Sequence, residues 1–131
     1  MNSNVLSKLG ATAYVFWGLL HLKAAQMVWQ MGHSLDAGPL QGRILQLSWD
    51  LLFFATVAIA VAVGKNLNNS RLGYWVNLIV VSAADIGFIV FVLVPGYVPI
   101  IPGVFGPLLW VIAVVFSTIA IKQADGETTT R

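Results

Sequence analysis

The stretch LGYWVNLIVVSAADIGFIVFVLV, residues 72–94, decides how this chain is read. At 1.5 Å per residue it is about as long as a helix must be to cross the hydrocarbon core of a bilayer. Asp85 stands near its middle among small neighbours, in Ser-Ala-Ala-Asp-Ile-Gly. A carboxylate at that depth costs a few kcal/mol, so it must face protein or water and marks a candidate functional site.

Three further apolar segments accompany it, giving predicted spans over residues 9–31, 40–63, 72–94 and 103–121. Turn formers fill the gaps 32–39, 64–71 and 95–102. Four spans with short connections predict an all-α integral membrane protein, a single antiparallel bundle of four transmembrane helices with a polar tail over 122–131. Continuous apolar runs without period-two alternation argue against a β-barrel. The first segment is too long for a typical signal and lacks a small-x-small cleavage site, so it is expected to remain as a span.

Composition supports that class. Apolar residues make up 58% of the 131 and charged residues 9%, whereas roughly a quarter of residues are charged in soluble domains. A net charge of +2 without a basic cluster gives no basis for nucleic-acid binding. With no cysteine, thiol nucleophiles, disulfides and thiolate metal sites are excluded. Neither a metal nor a cofactor is expected.

Lys8, Lys65, Arg71, Lys122 and Arg131 flank one side of the predicted spans, and only Arg43 flanks the other. The positive-inside bias therefore predicts a multi-pass protein of the cell membrane with both termini cytoplasmic. Asn68-Asn69-Ser70 matches a glycosylation sequon, but that orientation places it in the cytosol. The outer connection PGYVPIIPG, residues 95–103, has three prolines and no charge. It reads as a stiff, greasy connector resting among headgroups, or as the lip of a cavity.

Helical rise gives the depth of the polar residues. His21 and Lys23 lie roughly 20 Å from the inner end of the first span, Asp50 roughly 10–15 Å below the outer end of the second, and Asp85 roughly 20 Å above Leu72. All four fall in the outer half of the predicted membrane, with Trp110 at a similar level. Nothing ionisable occupies the inner half, which favours a one-sided pocket over a through-path.

Phase adds to depth. Arg43, Gln46, Asp50 and Phe54 share one stripe, and Tyr74, Leu78, Val81 and Asp85 another. On the first span Tyr14, Trp17 and His21 lie on one side, while Lys23, Gln26 and Gln30 lie on the opposite side. Two polar sides on one helix suggest a subunit contact, and Gly10, Gly18, Ala24 and Ala25 offer small residues for close approach. A homo-oligomer, most simply a dimer, is expected.

Asp50, Asp85, His21 and Lys23 are the candidate catalytic residues, because two carboxylates, a histidine and a lysine in a dry cavity can divide into acid and base. Tyr14, Trp17, Gln26, Trp49, Phe54 and Trp110 are the candidate substrate-binding residues, their aromatic faces suited to a developing cation. Trp29 and Trp75 read as interfacial anchors. The chemistry points to isomerisation, cyclisation or epoxide opening of a lipophilic small molecule drawn from membrane lipid surroundings. A proton-coupled small transporter or an accessory membrane subunit is the alternative.

Paired aspartates within a helical sheath resemble the layout of the emopamil-binding and sigma receptor family and of small membrane terpene cyclases. Four short spans are also similar to the small bacterial DoxX-type proteins. The resemblance is one of architecture and implies no site residue.

Overall fold

In the computed structural model, residues 2–129 are described, with no strand among them. Four helices are long and apolar enough to cross a membrane. They are α1 (Ser3–His33), α2 (Pro39–Gly64), α3 (Arg71–Phe88) and α4 (Phe105–Thr129).

Local chemistry sets their ends. The Asn2 side chain accepts the Asn4 N–H at 3.0 Å and starts α1 six residues before the predicted span. The helix closes at Ser34, whose N–H reaches the Gln30 and Met31 carbonyls. Pro39 opens α2, where its fixed φ suits a first turn. A 3₁₀ turn, Asn66–Asn68, follows α2, and Asn69 leaves it in a left-handed conformation that asparagine tolerates. The Asn69 amide then donates to the Ala120 carbonyl at 3.2 Å, fastening this turn to α4.

The two ends of the chain's second half depart from expectation. α3 continues as a π-helical turn over Ile89–Leu93. α4 does not stop near residue 121 but runs through the polar tail to Thr129, with Arg71 of α3 paired to Asp125. Residues 130 and 131, including the expected inner-flank charge Arg131, lie outside the described residues.

α2 and α4 pack chiefly on α1, and α3 packs against α2 and α4. The buried positions of α1 recur every three or four residues: Ser7, Gly10 and Ala11, Tyr14, Trp17 and Gly18, His21, Ala25. Small residues there admit close neighbours. A Cβ on Gly18 would stand 3.1 Å from the Ala55 carbonyl of α2, and one on Gly10 would stand 3.2 Å from the Ala113 carbonyl of α4. Ser48 of α2 donates to the Ala25 carbonyl at 2.8 Å. Gly10, Gly18 and Ala25 are therefore occupied within the chain, and of the four small residues only Ala24 stays partly exposed.

Candidate functional site

The site forms where α1, α3 and the start of α4 meet. Asp85 follows Gly73, Asn77 and Val81 at four-residue intervals, the buried stripe of α3. Its side chain is fully buried. The Trp17 indole Nε1 donates to Asp85 Oδ2 at 2.8 Å. The other oxygen, Oδ1, lies 3.8 Å from His21 Nε2 and has no hydrogen-bond partner in the protein.

His21 is held in place by its own helix. Its Nδ1 contacts the Trp17 carbonyl oxygen at 2.8 Å, and its ring stacks on the Trp17 indole with centroids 3.8 Å apart. With Nδ1–H donating to that carbonyl, Nε2 is left as the lone-pair nitrogen facing Asp85. Trp17 thus contacts both partners, bonding the carboxylate and stacking on the imidazole.

Gly106, in the first turn of α4, closes the third side. A Cβ there would stand 3.1 Å from His21 Cε1 and 3.7 Å from both Asp85 Oδ1 and His21 Nε2. Gly103, just before α4, packs against Leu93 of the π-helical turn and Val98 of the connection. The widened turn past Asp85 and the folded-back connection together deliver Gly106 to the pair. π-Helical turns recur at functional sites, where they re-phase a helix end.

The structure does not join the other candidate catalytic residues to this pair. Among the described residues the Asp50 side chain, half-buried on α2, forms no hydrogen bond or ion pair. Lys23 is exposed and donates to Gln26 at 2.9 Å. The reason is helical phase. α2 turns Ser48, Ala55, Ala58 and Ala62 inward, so the adjacent Trp49 points out and is 64% exposed. Lys23, two residues beyond His21, is carried about 200° around α1.

Among the candidate binding residues, Tyr14 and Trp17 are fully buried in the core. Phe54 and Trp110 are half-buried against it, and Trp110 Nε1 donates to Ser82 at 3.0 Å. Gln26 is exposed beside Lys23. Gly106 and Ser82 were not expected from the sequence. Nothing distinguished Gly106 from other glycines, whereas Ser82 sits three residues before Asp85, one turn away on α3.

Neutral polar groups also enter the interior. The Tyr14 hydroxyl, Asn77 Oδ1 and Ser117 Oγ are buried without a hydrogen-bond partner in the protein. A narrow crevice lined by Ser7, Asn66, Asn69, Tyr74 and Ser117 lies near them.

Compared with protein-family models, curated proteins and solved structures, the chain finds no match.

Proposed function

We propose that this chain crosses the cell membrane four times as an antiparallel bundle. Its apolar outer surface supports insertion: Leu47, Phe53, Ile79, Ile86, Phe91 and Val111 are all exposed. An exposed apolar surface of that extent suits lipid rather than water. Opposed contact order supports the antiparallel arrangement. Along α3 and α4, Tyr74 meets Thr118, Ser82 meets Trp110, and Asp85 meets Gly106. Exposed Lys8, Lys65, Arg71 and Lys122 support the placing of both termini in the cytoplasm.

The function we infer is acid–base chemistry on a small lipophilic molecule, with Asp85 and His21 as the working pair. One observation carries it. A fully buried carboxyl keeps one oxygen without a partner and aims it at an imidazole nitrogen 3.8 Å away. A structural ion pair gains from short, fully satisfied hydrogen bonds. An acid–base pair instead needs a position that a proton can occupy on either side. Trp17 holds the carboxyl by its other oxygen and the imidazole by stacking, which fixes the two groups relative to one another.

The test compares lipid extracts incubated with wild-type and Asp85→Asn protein in nanodiscs, profiled by mass spectrometry. Loss of one species and gain of an isomer or hydrate with wild type alone supports the reading. Identical profiles from two folded proteins overturn it.

A homo-oligomer, most simply a dimer, is the assembly we propose. Its support is the exposed group Lys23, Gln26 and Gln30 on an otherwise apolar outer face of α1. Polar side chains on a lipid-facing helix gain most when they bond across to another helix.

A further inference from the structure

Two outward polar stripes stand at one level on α1 and α2. Ser48 of α2 donates to the Ala25 carbonyl of α1, and the Ala55 carbonyl of α2 lies beside Gly18. These contacts run in opposite order along the two helices. Two residues on from Ser48 therefore match two residues back from Ala25, and Asp50 is level with Lys23. By the same register Arg43 is level with Gln30.

The two stripes cannot meet within one chain. At about 100° per residue, Lys23, Gln26 and Gln30 are turned roughly 100–160° from Ala25, the side that α1 gives to α2. They are also turned away from Trp17 and His21, which face Asp85 and Gly106. Arg43, Gln46 and Asp50 are turned roughly 140–160° from Ser48, the side that α2 gives to α1. Their stripe continues into Phe54, which packs against the core. The α1 stripe thus looks away from α3 and α4, and the α2 stripe lies on the opposite flank.

Each stripe lacks a counter-charge. Lys23 donates to Gln26 at 2.9 Å and Arg43 to Gln46 at 3.0 Å, neutral amides of their own helices. The Asp50 side chain has no such neighbour, roughly 16 Å along α2 from Pro39. Ionisable groups at membrane depth pair with one another or face protein or water. Exposed Leu19 and Met27 border the α1 stripe, and exposed Leu47 and Phe53 the α2 stripe, so both offer apolar packing around the charge.

We propose that a second copy of this chain docks head to tail, the Lys23 ammonium of one copy pairing with the Asp50 carboxylate of the next. The Gln30 amide oxygen then accepts from Arg43. The contact rests on the membrane-spanning, oligomeric reading above and supplies the surface that receives the α1 stripe. In one bilayer neighbouring copies share orientation and depth, so residues level within a chain are level between chains. A contact between two different surfaces is heterologous: two copies leave one stripe open at each end, and a closed ring uses them all.

Cross-linking of the full chain in lipid tests it, because the chain has no cysteine. Lys23→Cys and Asp50→Cys copies carrying different tags are co-expressed and treated with a short membrane-permeant bis-thiosulfonate. A covalent pair bearing both tags is expected, with little from either variant alone. Lys23→Cys copies that pair only with one another overturn the head-to-tail contact in favour of a symmetric one, and leave the oligomer standing. An absent covalent pair beside a dimeric wild type in native mass spectra overturns it too, whereas a monomeric wild type defeats the oligomer itself. Charge exchange gives a second measurement. Lys23→Glu and Asp50→Lys are each expected to cut the oligomeric fraction in nanodiscs several-fold, and the double variant to restore it. A double variant as monomeric as the single ones overturns the pairing of Lys23 with Asp50.

Discussion

Trp17 and Asp85, 68 residues apart in sequence, are joined by an indole-to-carboxylate hydrogen bond of 2.8 Å in the buried centre of the molecule. It is the only hydrogen bond that the Asp85 side chain makes to protein among the described residues. Trp17→Phe keeps an aromatic ring to stack on His21 but removes the donor. It is expected to lower unfolding stability by about 1–3 kcal/mol, read from thermal melts in mild detergent. A melt unchanged from wild type would show that the carboxyl finds a substitute donor.

Gly106→Ala tests how closely α4 is laid against the pair. The added methyl carbon stands 3.1 Å from His21 Cε1, so the imidazole, held between its stack on Trp17 and its bond to the Trp17 carbonyl, must give by a few tenths of an ångström. Overpacking of this kind costs about 1–3 kcal/mol. The stability loss should come with altered His21 ring resonances in NMR spectra. Gly87→Ala is the control: no atom lies within 4 Å of its Cβ, and replacing a mid-helix glycine should raise stability by about 0.5–1 kcal/mol.

Asp50→Asn and Asp85→Asn should separate sharply. Asp85→Asn is expected to abolish turnover in the lipid-profile assay, and Asp50→Asn to leave most of it. Asp50 sits half-buried on α2 without a polar partner. Equal loss in both, with both proteins folded, would falsify the assignment of the working pair to Asp85 and His21.

Orientation is open to a clean labelling experiment, because the chain has no cysteine. His33→Cys and Asn68→Cys lie at exposed positions. An impermeant maleimide should reach the first from outside intact cells and the second only after lysis. Labelling of Asn68→Cys from outside would reverse the topology.

Assembly rests on the Lys23, Gln26 and Gln30 face. Native mass spectra from lipid nanodiscs should show a dimer for wild type, weakened in Lys23→Leu/Gln26→Leu protein. A wild-type monomer across nanodisc and detergent preparations would remove the proposed contact.

Much of the helical layout was legible in the sequence, because apolar length and turn formers are local properties. The start of α1 at Ser3 and the run of α4 to Thr129 were not, since an asparagine cap and the Arg71–Asp125 pair extend helices past their apolar windows. At the site, helical rise put His21 and Asp85 near one level, and in the structure they face each other. Rise could not say which way α2 turns. Its inward face is chosen by Ser48, Ala55, Ala58 and Ala62, small enough for α1 to approach, and that choice leaves Asp50 and Trp49 elsewhere. Asn77 and Ser117 carry no charge and sit within apolar runs, so neither charge nor hydropathy marks them.

The central place of α1 bears on how the protein is made. It is translated before the other three, yet it is the least apolar of the four candidate spans and the most buried. On the proposed membrane reading, Ser7, Tyr14 and His21 have no shelter until α2 and α4 have emerged to pack on Gly18 and Gly10. α1 therefore reaches its final surroundings only once α4 has been made. Truncation after residue 70 should leave it prone to slip back out of the membrane or to be held by a chaperone, and synthesis of α4 should end that dependence.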